Sequence, residues 1–153
     1  MLECKDTLGS SMELSKNIDK NSNILYNKYN VYIGVLQMKI TFYEKKNGVK
    51  PVKEFLDSLD EDMRAKMSVK ISFLKQYGKQ LRLPHSRYIQ DGIFELRVQC
   101  GNDITRVLYF FIRGDEAILT NGFIKKSQKT PRSEIDLAIK YKKDYEHRHN
   151  GGI

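Results

Sequence analysis

Short segments in which every second residue is hydrophobic fill the stretch between Gly92 and Pro131. They are rich in β-branched and aromatic residues, and turn-forming residues separate them, which is typical of β-strands. We therefore predict three consecutive antiparallel strands of a meander. They fall within residues 92–97, 105–111 and 118–126.

A repeat of two residues sorts the side chains of these strands between the two faces of a sheet. One face collects the hydrophobic side chains Phe94, Leu96, Val98, Val107, Tyr109 and Phe111. The opposite face carries Arg97 and Arg106, together with Glu95. We predict that helices cover the hydrophobic face and that the cationic face is left open to an anionic ligand.

The segments before and after this meander are predicted to form one further strand and three helices. Residues 39–45 alternate as a first strand, and the apolar stripes that follow Pro51 and Asp60 predict two antiparallel helices, the second ending at Gly78. Thr130 and Pro131 are predicted to cap and open a last helix. Lys79 to Asp91 is predicted to be a basic loop, so the chain is an α+β domain with the order β-α-α-β-β-β-α.

Residues 1–37 differ from the rest of the chain. Residues 1–23 are polar and are predicted to be weakly ordered, whereas residues 24–37 could form an extra strand or helix. The compact, charged pattern starts at Met38. We interpret residues 1–37 as an appended extension and residues 38–149 as the domain, and Met38 as a possible natural start.

The net charge of +8 is unevenly distributed along the chain. The first 37 residues hold four Lys and four acidic residues, so 23 of the 27 basic and 15 of the 19 acidic residues follow them. This excess favours a polyanionic partner such as nucleic acid or an acidic protein, although a lysine-rich soluble surface would look the same.

Cysteine usage and hydropathy indicate a cytoplasmic protein. Cys4 and Cys100 are far apart and are expected to be reduced thiols, and no Cys/His spacing suggests a metal site. No apolar run reaches the roughly 18 residues of a membrane span, and the N-terminus does not resemble a signal peptide. We expect no cofactor and no membrane partner.

Four segments carry a specific resemblance to a known family: GIFELR (92–97), RVLYFF (106–111), NGFIKKSQKTP (121–131) and EIDLA (134–138). Together they resemble the phage-derived Gp49-like, or HigB-like, branch of the RelE/ParE toxin superfamily. The resemblance covers roughly residues 38–148, and the element order predicted above also matches that superfamily.

This resemblance implies a type II toxin that inhibits translation. Members are small basic endoribonucleases, called mRNA interferases, that enter the ribosome and cut mRNA without a metal. The 2′-hydroxyl of one nucleotide attacks its own 3′-phosphate and leaves a cyclic phosphate. The implied partners are the ribosome, mRNA and a cognate helix-turn-helix antitoxin similar to HigA.

Such a reaction needs cations for the phosphorane, and Arg97 and Arg106 are the candidate phosphate clamps because rigid strands would hold their guanidinium groups. The alternative for both is a surface salt bridge with Glu95. Lys126 and Lys129 are candidates for phosphate binding or proton transfer, beside Lys125 as an RNA-binding residue, or all three form a solvated loop.

His85 is a candidate base because its ordinary pKa lies near neutrality, although it could also be an exposed loop residue. Tyr109 belongs to the predicted core, with catalysis as the less favoured alternative. RNA-binding candidates are the basic loop residues and one amide predicted at a strand end, where it could instead form a turn: Lys79, Arg82, Arg87 and Asn121.

Two alternatives to a ribonuclease remain open on the sequence. A toxin of the same fold could inhibit by binding DNA gyrase, as the ParE side of the superfamily does, and would need no base or acid. A phage remnant could bind nucleic acid without activity, but Arg97, Arg106 and the lysines that such a remnant would be expected to lose are present.

Overall fold

A computed structural model describes residues 17–19, 24–26, 32–35, 37–125 and 129–150. Two units make up the chain, Met1–Leu36 and Gln37–Ile153. In the first unit, the strands β1 (Asn17–Asp19), β2 (Ile24–Tyr26) and β3 (Tyr32–Val35) form an antiparallel sheet in that order. Strands β2 and β3 fall in the segment that was predicted to hold an extra strand or helix.

Among the described residues of the second unit are one five-stranded sheet and three α-helices. Its strands are β4 (Lys39–Phe42), β5 (Ser86–Gln90), β6 (Ile93–Cys100), β7 (Asp103–Ile112) and β8 (Glu116–Lys125). Its helices are α1 (Pro51–Ser58), α2 (Glu61–Tyr77) and α3 (Arg132–Asn150). The strand order is β4-β8-β7-β6-β5; of the four pairings between these described strands, β4–β8 is parallel and the others are antiparallel. The predicted α+β class and mainly antiparallel sheet are confirmed.

Strand β5 corrects the predicted element order. It lies inside the segment that was predicted to be a basic loop, and it pairs antiparallel with β6. The observed order is therefore β-α-α-β-β-β-β-α. Strand β5 is one of the two edge strands of the sheet, is short and carries Arg87 opposite Glu95. Charged side chains of this kind are common on edge strands because they discourage pairing with other chains.

Local signals fix the two N-terminal helices where the sequence predicts them. Pro51 occupies the first turn of α1, where its missing N–H costs nothing. Asp60 caps α2, because its carboxylate accepts a hydrogen bond of 2.9 Å from the Met63 N–H. Gly78 ends α2 with a φ of 53°, in the left-handed region that favours glycine.

Helices cover both faces of the sheet, which corrects the prediction of one open cationic face. Leu96, Val107 and Tyr109 pack with Val52 and Met67 on the face of α1 and α2, as predicted. On the other face, buried side chains of the strands pack with α3. Together these side chains form a second core, whose members include Ile93, Leu108, Phe110, Ile118, Ala138, Tyr141 and Tyr145. The residues that alternate with the first core are thus largely hydrophobic, and the charged ones occupy only part of the second face.

Candidate nucleic-acid interface

Three arginines surround one glutamate on the face of the sheet that α3 covers. We name Arg87, Glu95, Arg97 and Arg106 the arginine cluster. The strand register brings them together, because Arg87 lies opposite Glu95 and Arg97 lies opposite Arg106 on adjacent strands. Residues directly opposite in a sheet have side chains on the same face, so β5, β6 and β7 all contribute to the cluster.

Glu95 is the centre of the arginine cluster. Its Oε1 lies 3.0 Å from a guanidinium nitrogen of Arg87 and 3.6 Å from Nε of Arg97. Its Oε2 lies 3.1 Å from a guanidinium nitrogen of Arg106. Both Glu95 and Arg106 are fully buried. Three cations around one carboxylate leave the arginine cluster with a net charge of +2.

The three arginines differ in their access to solvent. The side chain of Arg87 is 40% exposed and that of Arg97 is 25% exposed, whereas Arg106 is fully buried. Burial lowers the pKa of Arg106, but a guanidinium remains protonated in proteins. Of the two predicted phosphate clamps, only Arg97 therefore reaches the surface. Both pair with Glu95, and the Arg106 pair is buried rather than a surface salt bridge.

Thr130 links the arginine cluster to the segment before α3. Its hydroxyl donates a 2.7 Å hydrogen bond to Oε2 of Glu95, and it accepts a hydrogen bond from Arg106. The sequence predicted Thr130 as a helix cap with Pro131 opening the helix, but α3 begins at Arg132. Thr130 instead supplies a neutral polar group that helps to satisfy the buried ions.

The predicted lysine candidates lie just before Thr130 in the chain. The ammonium of Lys125, at the end of β8, donates a hydrogen bond to the backbone carbonyl of Lys129. Lys129 itself is exposed. Lys126, predicted to act in phosphate binding or proton transfer, lies outside the described residues. Lys129 thus directly precedes Thr130, which contacts the arginine cluster, and Lys125 contacts the backbone of Lys129.

Asn121 lies inside β8 rather than at a strand end, which corrects its predicted position. Its side chain is buried and its amide donates a 2.8 Å hydrogen bond to the carboxylate of Glu134. The amide oxygen accepts a 2.8 Å hydrogen bond from the hydroxyl of Thr120. Asn121 therefore ties β8 to α3. The alternation of hydrophobic and polar residues within β8 could not predict the contact between Asn121 and Glu134, because Glu134 belongs to α3.

His85 lies beside α2 instead of on the α3 face. Its Nδ1 is 2.6 Å from the ammonium of Lys70, and its backbone carbonyl accepts a 3.2 Å hydrogen bond from the Arg97 N–H. A lysine ammonium only donates, so Nδ1 accepts and the ring proton belongs on Nε2. This arrangement occupies the nitrogen that a base would use. Lys70, Arg97, Lys66 and Pro84 line an adjacent cavity of about 480 Å³.

A second cationic site lies at the edge of the sheet formed by β5. We name this cavity of about 780 Å³ the basic groove. Four of the residues that line it are cationic, namely Lys79, Arg82, Arg87 and Lys142. The structure thus brings together three of the predicted RNA-binding residues. Sequence reasoning missed Lys142, because it comes from α3, 55 residues after Arg87 in the chain.

Tyr109 belongs to the core, as predicted. It is almost fully buried, and its hydroxyl lies 2.5 Å from that of Ser86. Burial raises the pKa of Tyr109 to about 12. A phenol in this state keeps its proton at neutral pH, so Tyr109 supports the strands on which the arginine cluster is built.

The fold and the arginine cluster define an α+β protein that presents a rigid, partly exposed cationic site. A family model described as Phage derived protein Gp49-like (DUF891) matches residues 54–143. The chain therefore belongs to this Gp49-like family, a toxin-like family related to RelE and ParE. The matched residues include α2, all of β5 to β8 and the first part of α3.

Family membership indicates a toxin of a toxin–antitoxin system, with an antitoxin as its partner. No curated protein matches the chain. No helix among the described residues is long and apolar enough to cross a membrane. In the same part of the chain, no group of three His, Cys, Asp or Glu side chains is placed to hold a metal ion.

Proposed function

We propose that this protein is a type II toxin that cleaves mRNA on the ribosome. The observation that carries the proposal is the arginine cluster, in which Arg87 and Arg97 are partly exposed while the buried Glu95 anchors both. A guanidinium held in this way is pre-organised to bind a phosphate, so little freedom is lost when the phosphate arrives.

The proposed reaction is attack of a 2′-hydroxyl on the adjacent 3′-phosphate. The 2′-hydroxyl gives up its proton as its oxygen bonds to phosphorus and the bond to the 5′-oxygen of the next nucleotide breaks. That 5′-oxygen takes up a proton, which gives a cyclic phosphate and a free 5′-hydroxyl. Negative charge increases on the non-bridging oxygens in the transition state. Arg97 is the proposed donor to these oxygens, because its charge persists in a site where water is partly excluded.

The remaining groups have proposed supporting roles. Arg106 is a positioning residue, because it is fully buried and contacts Glu95 and Thr130. Lys125 and Lys129 are proposed to bind flanking phosphates or to protonate the leaving oxygen. Positioning of the 2′-hydroxyl by the ribosome is proposed to supply much of the acceleration, since proximity alone contributes several kcal/mol.

The proposed partner that restrains the toxin is a helix-turn-helix antitoxin similar to HigA. The exposed part of the arginine cluster favours an acidic segment of this partner, because complementary charge accelerates association and fixes orientation. Co-expression of a neighbouring reading frame of this kind is expected to restore growth to cells that make the toxin.

Induced expression of the full chain in bacteria, with mapping of mRNA 5′ ends, tests this function. We expect growth arrest with cuts inside translated reading frames, both lost in Arg97→Ala. Arg113→Gln is the matched control, since Arg113 is exposed in the turn after β7, at the far end of that strand. Growth arrest with intact mRNA would contradict the proposal and point to a bound target such as DNA gyrase. No arrest with folded protein would contradict it as well.

A further inference from the structure

The basic groove combines cations with exposed aromatic surface. Tyr88 on β5 is 55% exposed, and its ring contacts that of Phe94 edge-on with centroids 5.2 Å apart. Phe111 continues this series at 5.1 Å from Phe94, and the ammonium of Lys79 lies 5.8 Å from the centre of the Phe111 ring. All four residues line the basic groove.

The charges of the basic groove are only partly balanced by acids, because, of its four cations, Arg87 pairs with Glu95 of the arginine cluster. None of the described residues that line it is acidic, whereas Lys79, Arg82, Arg87 and Lys142 are cationic. The backbone carbonyls that accept from Arg82 and Lys142 belong to Lys79, Leu81 and Asp91, so these contacts orient the two side chains without neutralising them. The complementary ligand is an anion with a flat apolar surface.

We propose that the basic groove binds one nucleotide of single-stranded RNA, with its base stacked on Tyr88 and its flanking phosphates on Arg82 and Lys79. Stacking on an exposed aromatic ring beside cations is how proteins bind single strands without reading their sequence. An acidic peptide would satisfy the cations but would leave the exposed Tyr88 ring without a flat partner. This inference rests on the proposed function and adds a second subsite to it.

Arg87 fixes where this subsite lies relative to the proposed cutting site. It lines the basic groove and also belongs to the arginine cluster, where it lies 3.0 Å from Glu95. Tyr88 lies opposite Phe94 and so projects to the other face of the sheet from Arg87. A strand that occupies both sites would therefore cross the edge of the sheet beside Arg87.

Fluorescence anisotropy with the full chain and a labelled single-stranded RNA hexamer tests the subsite. We expect Tyr88→Ala to weaken binding about 5- to 150-fold, which corresponds to the loss of one stacked base. Tyr77→Ala is the matched control, since Tyr77 is 49% exposed on α2 and does not line the basic groove. Equal affinities of the two variants, or no binding of the hexamer at low salt, would overturn the inference.

Two further arms separate this inference from its rivals. Binding of a polyglutamate peptide, but not of RNA, in a Tyr88-dependent manner would identify the basic groove as a protein-docking surface and would overturn the inference. Tyr88-dependent RNA binding without mRNA cleavage in cells would support the subsite while the proposed ribonuclease function fails. Cleavage in cells with RNA binding that is independent of Tyr88 would support the ribonuclease function and would overturn the subsite.

Discussion

The arginine cluster and the basic groove share Arg87 but differ in how far acidic groups neutralise their positive charge. In the arginine cluster, three cations converge on a buried carboxylate, and one of them is fully buried itself. In the basic groove, the described lining includes four cations and no acid. A buried ion pair becomes costly when one partner is lost, whereas an exposed charge contributes little to folding. Changes at the buried members of the arginine cluster should therefore affect stability, and changes at its partly exposed Arg97 should affect catalysis. Changes in the basic groove should affect ligand binding.

The largest effect is expected for Glu95→Gln. This change leaves three arginines around a neutral amide in a buried position, so the free energy of unfolding should fall by about 3–5 kcal/mol. Urea unfolding followed by circular dichroism measures it. Asp136→Asn is the control, because it breaks the exposed Arg132–Asp136 pair and should cost less than about 1 kcal/mol. Similar losses in the two variants would remove the distinction between the arginine cluster and an ordinary surface pair.

Arg97→Ala should have the next largest effect, on cleavage rather than on folding. Removal of one donor to a developing oxyanion typically lowers a rate about 100- to 1,000-fold. The Arg97 side chain is partly exposed, so its variant should remain folded. Rates of mRNA cleavage in a purified translation reaction, compared with those of Arg113→Gln, provide the measurement. An unchanged rate in Arg97→Ala would assign Arg97 to structure alone.

Alkaline pH is expected to weaken the strands beneath both sites. Burial raises the pKa of Tyr109 to about 12, against about 10 in an unfolded chain. The contribution of Tyr109 to the free energy of unfolding is thus complete below pH 10. It is lost as pH rises through 12, and the total loss is about 2–3 kcal/mol. Denaturant unfolding at pH 8 to 12 should show this loss, and Tyr109→Phe should reduce it. Tyr43, whose pKa burial also raises to about 12, will account for part of what remains.

The smallest effect on stability is expected for Arg82→Gln in the basic groove. Its side chain is exposed and pairs only with backbone carbonyls among the contacts described, so unfolding should change by less than about 0.5 kcal/mol. The same variant should reduce the salt dependence of RNA binding by about 0.7 in the slope of log affinity against log salt. A strong destabilisation would contradict this prediction and show that the charge of Arg82 contributes to folding stability.

Much of the fold could be predicted because local signals decided it. Period-two alternation identified β6, β7 and β8, and Pro51, Asp60 and Gly78 marked helix ends that the structure confirms. Strand β5 was missed because Arg87 and its neighbours were interpreted as a basic loop. An edge strand with one charged face carries few of the hydrophobic residues that make a strand recognisable.

The shared face of three charged residues could be predicted from the sequence, but the contacts that they make could not. Alternation placed Arg97, Arg106 and Glu95 on one face, and the structure confirms that placement. Full burial of Arg106 could not be inferred, because Thr130 and α3 arrive from distant parts of the chain. Asn121 and His85 show the same limit, since the Asn121 amide donates to Glu134 and Nδ1 of His85 accepts from Lys70.

The chemistry of the RNA ends formed on translating ribosomes tests the central claim most directly. Purified full chain would be added to ribosomes programmed with a defined mRNA, and the fragments would be analysed for their terminal groups. We predict a 2′,3′-cyclic phosphate and a 5′-hydroxyl with the wild type and with Arg113→Gln, and intact mRNA with Arg97→Ala. Intact mRNA with the wild type, or fragments with 5′-phosphates, would contradict the claim that this protein cuts RNA by 2′-hydroxyl attack at the arginine cluster.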